Sequence, residues 1–210
     1  MGHVVMITDV TGILLAGGKS RRMGKDKRFI FLGQRTLFER SRAVLCELFE
    51  QVCVVIAQDS PSLHTDVPVV RDLIPDCGSL GGLYTGLRLA KTQHIFLAAS
   101  DMPFLNPEVI RYMVGLKDRM DIVISRWATR LQTTHAVYGQ NCLPVIEEMM
   151  NLHNKKIHSM MDHPTLHVRV IAEREIRQIE GGGRSMFNIN TPSDLEQAQS
   201  MHDATTGLGL

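Results

Sequence analysis

The sequence predicts an α/β fold in which helices cover both faces of an open, mainly parallel (mixed) sheet. Short apolar runs bounded by glycine or turn residues alternate with stretches of helical periodicity. The run at 95–99 is apolar throughout, as expected for a central strand that is covered on both faces. A chain of 210 residues suits one domain. We expect this domain to span residues 1–202, with a flexible tail at 203–210.

The individual elements follow from local signals. Thr36 and Glu39 form a capping box, Asn106 is an N-cap before Pro107, and Thr191 caps the last helix. Apolar runs predict strands at 13–16, 52–57, 67–70, 95–99, 122–124, 135–138 and 168–172. Helical spacing or a capping signal predicts helices at 37–49, 81–91, 142–151 and 155–162, and helices that begin at 107 and 192.

The composition excludes several functional classes. The chain has 23 basic and 22 acidic residues and a net charge of +1, so it lacks the charge of a nucleic-acid-binding protein. No apolar run approaches the roughly 20 residues of a membrane span. The four cysteines include no C-x-x-C pair, and free thiols suit a reducing compartment. We therefore expect a cytoplasmic protein that binds neither nucleic acid nor membrane.

The loop after the first strand has the composition of an anion-binding site. Between Gly17 and Lys27 it contains three glycines and five cations. Glycine lets the main chain approach a ligand closely and present N–H groups to an anion. The number of cations favours a nucleoside triphosphate over a basic surface turn. A Walker loop is excluded because its first glycine would fall at Ile13, and the dinucleotide-binding spacing is absent too.

Two aspartates follow strands of the predicted sheet. Asp72 comes after the third strand, and Asp101 directly follows the central apolar strand. Ligands of such sheets bind beyond the carboxyl ends of the strands. Mg²⁺ prefers one or two carboxylates together with phosphate oxygens and water. We therefore interpret Asp101 as a Mg²⁺ ligand, because Asn106 already serves as the N-cap of the next helix.

The pattern Leu15-Ala-Gly-Gly-x-x-x-Arg22-Met-Gly-x-Asp-Lys27 closely resembles the signature of nucleotidyltransferases with the Rossmann-like nucleotide-diphospho-sugar transferase fold. Within them the chain is most similar to the molybdenum cofactor guanylyltransferase family. The resemblance continues in order through Asp72, Gly81-Gly82, residues 100–103 and residues 188–192. It implies that the protein transfers GMP from GTP to molybdopterin, with Mg²⁺ as cofactor, and releases pyrophosphate. Molybdoenzymes or cofactor-delivery proteins would be its further partners.

The resemblance also implies a role for each matching residue. Arg22 and Lys27 would hold the triphosphate and offset the charge on the leaving pyrophosphate, as positioned cations do in phosphoryl transfer. Lys155 and Lys156 match basic residues that bind the phosphorylated pterin, although a solvated helix face explains them equally well. The implied catalytic residues are Arg22, Lys27 and Asp101, the nucleotide-binding residues Leu15, Ala16, Gly17, Gly18, Lys27, Asp72, Gly82 and Asp101, and the acceptor-binding residues Asn188, Asn190, Lys155 and Lys156.

Two departures from the family pattern concern the substrates. Ile56 stands where guanylyltransferases typically have an asparagine near the nucleoside, and Gln132-Thr133 replaces a common His-Pro. One alternative is a cytidylyltransferase that acts on molybdopterin or on a sugar or polyol phosphate. Such relatives commonly read Leu-Ala-Ala-Gly, so Gly17 favours guanine. A second alternative is a non-catalytic nucleotide-binding relative, against which the retained Arg22, Lys27 and Asp101 argue.

Overall fold

The computed structural model describes residues 5–17 and 26–206, without the side chains of residues 27, 205 and 206. The predicted site residues Gly18 and Arg22 and the side chain of Lys27 therefore lie outside the described part. The strands found within it are β1 (Val10–Leu15), β2 (Phe31–Leu32), β3 (Arg35–Thr36), β4 (Val52–Ile56), β5 (Val69–Arg71), β6 (His94–Ala99), β7 (Ile122–Trp127), β8 (Arg130–Gly139) and β9 (Val168–Ile171).

Seven strands form one mixed sheet in the order β5-β4-β1-β6-β8-β7-β9, and β2 and β3 form a separate hairpin. Only β8 runs antiparallel to its two neighbours in the large sheet, while the other four pairings are parallel. Leu15 is in register with both Val55 and Ala99. The carboxyl ends of the central strands are therefore level, and the predicted α/β fold is confirmed.

The helices of the described ranges are α1 (Leu37–Leu48), α2 (Gly78–Leu89), α3 (Pro107–Gly115), α4 (Cys142–Asn151), α5 (Glu173–Arg177) and α6 (Pro192–Thr206). Buried side chains of α1 and α3 pack on one face of the sheet with Leu14 and Phe96, and those of α2 and α4 pack on the other with Ile13 and Leu97. None of these helices is both long and apolar enough to cross a bilayer.

The predicted caps of α1 and α3 are confirmed by their hydrogen bonds. The main-chain N–H of Glu39 donates to Thr36 Oγ1 at 3.2 Å, and the N–H of Thr36 donates back to Glu39 Oε2 at 2.8 Å. Asn106 Oδ1 accepts from the N–H of Glu108 at 2.9 Å. Each bond satisfies an N–H group that has no partner inside its helix. These local signals were sufficient because a cap involves residues only two or three positions apart.

The structure differs from the prediction in several places. The helix expected at 155–162 is a 3-10 helix over Ile157–Asp162, and the short α5 and the β2–β3 hairpin were not predicted. The expected tail at 203–210 begins too early, since α6 continues to Thr206. His202 holds this last part of α6 in place, because Arg40 Nη2 lies 3.2 Å from its ring and a Cβ on Gly33 would meet its Nε2. Residues 207–210 lie outside the described part.

Candidate active site

Main-chain hydrogen bonds bring four strand ends together at the carboxyl edge of the sheet. The N–H of Ser100 donates to Leu15 O at 3.0 Å, and the N–H of Ala16 donates to Val55 O at 2.9 Å. The N–H of Asp72 donates to the carbonyl of residue 56 at 2.8 Å. The side chains of Leu15 and Ala16 are buried. These two residues therefore have mainly their main chain to offer a ligand at this edge.

Asp72 holds a buried carboxylate oxygen at one end of this edge. Its Oδ1 is buried and has no hydrogen-bond partner among the described residues. Burial raises the pKa of Asp72 to about 6, although a hydrogen bond from Thr85 opposes the shift. A Cβ on Gly82 would lie 3.6 Å from this oxygen and 2.6 Å from Leu15 Cδ2. Glycine at position 82 therefore lets Leu15 pack closely beside the one carboxylate oxygen that lacks a partner within the described ranges.

The loop after β4 forms the rim next to Asp72. Arg71 Nη1 donates to Gln58 O at 2.6 Å and to Ser60 O at 2.9 Å, and Gln58 Nε2 donates to Asp72 O at 2.9 Å. Ile56, by contrast, is only 2% exposed and packs in the core on the α1 and α3 face. The residue that departs from the family pattern therefore points away from this rim. Gln58 places a side-chain amide at this rim, and the sequence pattern had not singled it out.

Gly17 occupies a position where the loops after β1 and β4 touch. A Cβ on Gly17 would lie 2.6 Å from the main-chain nitrogen of Ala57 and 3.3 Å from the carbonyl carbon of Ile56. Real Cβ atoms do not approach main-chain atoms so closely, and main chain yields less easily than a side-chain tip. Glycine is thus required here by the packing of two loops at the edge of the site.

We expect Gly17→Ala to lower the free energy of unfolding by about 1–3 kcal/mol, the usual cost of overpacking. Denaturant unfolding of the wild type and the variant measures this difference. Gly115→Ala is the matched control, because a Cβ on Gly115 meets nothing within 4 Å. An alanine at the end of α3 should be neutral or slightly stabilising. Equal stabilities for Gly17→Ala and the wild type would show that the two loops do not constrain each other.

Asp101 lies at the end of β6, and the segment with both asparagines docks directly on it. The N–H of Ile189 donates to Asp101 O at 2.9 Å, so Asn188 and Asn190 flank this residue. The N–H groups of Asn190 and Thr191 both donate to Asp194 Oδ2 at 2.8 Å. The cap of α6 thereby fixes the main chain beside Asp101. The structure thus brings Asp101 next to two predicted asparagines that lie almost 90 positions later in the chain.

The two lysines predicted to bind the acceptor do not share the position of the asparagines beside Asp101. Lys155 Nζ donates to Asp76 O at 2.8 Å, and Lys156 is exposed. Asp76 has a φ of +57° and lies in the turn before α2, where a residue with a side chain is strained. Lys155 therefore braces the turn between Asp72 and α2, whereas the asparagines flank Asp101.

A buried histidine that the sequence analysis missed contacts Ser185, three residues before Asn188. His135 is fully buried on β8, where its Nε2 lies 3.0 Å from Ser185 Oγ and its ring packs edge-on against Phe96. Ser185 Oγ also accepts from the N–H of Asn106 at 3.1 Å. Burial lowers the pKa of His135 to about 4, so the ring is neutral at physiological pH. The only signal was a polar residue at the start of an apolar run.

Comparison with known proteins agrees with this arrangement. The model of the family described as MobA-like NTP transferase domain matches residues 12–170. A probable molybdenum cofactor guanylyltransferase from Pelotomaculum thermopropionicum is 35% identical, over 91% of this chain and 92% of the relative. A molybdenum cofactor guanylyltransferase from Desulfosudis oleivorans is 34% identical, over 91% and 95%. The crystal structure of molybdopterin-guanine dinucleotide biosynthesis protein A from Archaeoglobus fulgidus superposes with a TM-score of 0.82 at 25% identity, covering 93% of this chain and 100% of the other.

Proposed function

The chain belongs to the family of MobA-like NTP transferase domains, and we propose that it transfers GMP from GTP to molybdopterin with release of pyrophosphate. The observation that carries this proposal is that predicted site residues lie on both sides of Asp101 at the carboxyl edge of the sheet. Asp72 and Gly82 lie next to each other on one side, and Asn188 and Asn190 border Asp101 on the other. A donor and an acceptor bound on these two sides would meet at the α-phosphate.

The residues present fit a single Mg²⁺ ion. No group of three or more His, Cys, Asp or Glu side chains in the described part of the chain could hold a metal by itself. Mg²⁺ needs only one or two carboxylates when phosphate oxygens and water complete its shell, and Asp101 is suitably placed for this role. When bound, the ion would neutralise charge that develops on the phosphates.

The other roles follow from the position of each group. Asp72 would accept a hydrogen bond from a hydroxyl or N–H of the nucleoside, since no group in the described part of the chain donates to its Oδ1. Asn188 and Asn190 would orient the acceptor phosphate beside Asp101. No protein nucleophile is needed, because the acceptor phosphate is itself anionic. Holding both substrates in line supplies much of the acceleration in such a reaction.

The glycine at position 17 favours guanine as the base, because the relatives that use cytidine nucleotides commonly have alanine there. The alternative loop, Leu-Ala-Ala-Gly, would put an alanine at position 17, with its Cβ 2.6 Å from Ala57 N. Such a loop does not fit this main chain unless β1 and β4 separate at their ends. The relatives that are named guanylyltransferases point to the same base.

A transfer assay with labelled nucleotides tests the proposal. Purified protein, Mg²⁺ and molybdopterin would be mixed with GTP or CTP that carries the label at the α- or the γ-phosphate. We expect the α-label of GTP to enter the pterin product and the γ-label to leave as pyrophosphate. Transfer from CTP alone would overturn the choice of guanine. Transfer from neither nucleotide would support a non-catalytic relative.

A further inference from the structure

A second concave site lies on the acceptor side of Asp101. It is a cleft of about 400 Å³, lined among others by Trp127, Arg177, Gly183, Arg184, Phe187 and Met201. We call it the tryptophan cleft. It adjoins the end of β7 and the run of three glycines at 181–183, none of which the proposed catalytic roles use. Its lining combines aromatic and methionine side chains with two arginines.

The glycine run shapes one wall of the tryptophan cleft. A Cβ on Gly183 would lie 2.9 Å from Cη2 of Trp127, and one on Gly182 would lie 2.3 Å from Ile176 O. Gly181 has a φ of +68°, which L side chains rarely adopt. The main chain can therefore turn tightly and pass directly against the indole. The contact fixes the position of Trp127 in the wall of the cleft.

Two arginines line the tryptophan cleft, and one of them is paired with a carboxylate. The guanidinium of Arg177 lies 4.7 Å from the centroid of the Trp127 ring, and its Nη2 bonds to Glu173 Oε1 at 2.5 Å. Arg184 is exposed on the glycine side. Guanidinium groups stack on planar rings and bind anions in two-point fashion. Such a lining suits a ligand that combines a flat heteroaromatic ring with negative charge.

One residue that lines the tryptophan cleft is only two positions from the residue that bonds to Asp101. Phe187 lines it and also packs on Phe104, with ring centroids 6.2 Å apart. Ile189, two residues later, bonds to Asp101 O. In the sheet, β7 is two strands from β6, a separation of roughly 10 Å. A ring with a phosphate arm can span this distance, whereas a nucleoside held at Asp72 lies on the opposite side of Asp101.

We propose that the tryptophan cleft binds the flat heteroaromatic ring of the acceptor, while the acceptor phosphate reaches Asp101. This inference rests on the proposed function, because it takes the acceptor to be a pterin that carries a phosphate. It assigns Trp127, Arg177 and Arg184 to acceptor binding and gives them no role toward the nucleotide. The cleft should therefore affect the KM for the acceptor and leave the KM for GTP unchanged.

The intrinsic fluorescence of the protein provides a direct test, because Trp127 is the only tryptophan of the chain. We expect molybdopterin to quench or shift its emission in a saturable way, and GTP alone to leave it unchanged. No response to molybdopterin at concentrations that saturate turnover would overturn the proposal. Because a pterin bound elsewhere could also quench by energy transfer, equilibrium dialysis of molybdopterin against variants decides where it binds.

The variants separate a binding role from a structural one. Trp127→Ala and Arg184→Ala should each raise the Kd and KM for molybdopterin about tenfold or more, as loss of a ring contact or a charge-assisted bond does. The KM for GTP should stay within about twofold, and Trp127→Phe should restore most of the affinity because it retains an aromatic face. Unchanged thermal melts would show that the variants remain folded.

A matched control exists on the far side of the molecule. Arg88 lies 5.5 Å from the centroid of the Tyr84 ring and pairs with Glu147, the same arrangement as Arg177, Trp127 and Glu173. Arg88→Ala should change neither Kd nor KM. If the wild type transfers GMP normally while the cleft variants match Arg88→Ala, the cleft proposal fails and the proposed function stands. If the wild type binds molybdopterin in the cleft without transfer, the proposed function fails and the cleft proposal stands.

Discussion

Asp101→Asn is expected to slow GMP transfer by about 10³-fold or more, the scale on which loss of one positioned electrostatic group acts. The substitution keeps the shape of the side chain and removes the negative charge that a metal ion requires. Charge on the triphosphate would then lack its counter-ion at the step where pyrophosphate leaves. The effect should appear mainly in kcat, because the nucleoside contacts at Asp72 are intact.

The fold should survive this change, which makes the result interpretable. Asp101 is only partly buried, and its carbonyl, which accepts from Ile189 N, is unaffected by the substitution. Thermal unfolding and single-turnover transfer would be measured together. Asp118→Asn is the control, since its side chain is 89% exposed and lies away from the carboxyl edge. Near-normal turnover by Asp101→Asn would remove Asp101 from the metal-binding role.

The part of the site that could be predicted from sequence is the part defined by strand ends. Asp72 and Asp101 each come two positions after the last residue of an apolar run, and parallel strands deliver their carboxyl ends to one edge. The asparagine segment could be predicted from its motif, but its docking on Asp101 could not. That contact depends on the hydrogen bond from Ile189, which joins residues almost 90 positions apart.

The tryptophan cleft and the buried histidine escaped prediction for a related reason. Trp127 and Gly183 meet only after β7, α5 and the glycine run have packed together. His135 begins a run of apolar residues, and its partner Ser185 is 50 positions away. Periodicity reports which face of a strand is buried, and it carries no information about a distant hydrogen-bond partner.

Lys155 likewise has a motif match, yet its bond to Asp76 O depends on the tertiary fold.

Asp72→Asn is expected to weaken GTP binding about 10- to 100-fold, the value of a hydrogen bond to a charged group. The same variant should be slightly more stable than the wild type at pH 7.5. The reason is that Asp72 Oδ1 is buried and has no donor among the residues that the structure describes, and an amide carries no charge to desolvate. A gain in stability combined with a loss of affinity is characteristic of a group kept for its ligand.

The pH dependence follows from the raised pKa of Asp72. Between pH 3.8 and about 6 the folded protein holds a proton that the unfolded chain has released. The contribution of Asp72 to stability is therefore fully present below pH 3.8 and is lost as pH rises through about 6. After a discount for the half-buried side chain, the loss should be about 1 kcal/mol.

The affinity for GTP should change with pH in the opposite sense to the stability, because a hydrogen-bond donor of the nucleoside needs the ionised carboxylate of Asp72. We expect the wild-type affinity for GTP to fall as pH drops through about 6, and the affinity of Asp72→Asn to lack this step. Calorimetric titrations from pH 5 to 8 would measure both, with Asp162→Asn, an exposed aspartate outside the site, as the control. Identical pH profiles for the wild type and Asp72→Asn would mean that Asp72 does not receive the nucleoside. Loss of packing alone would not make Asp72→Asn more stable, weaken its binding of GTP and also remove the change in affinity near pH 6.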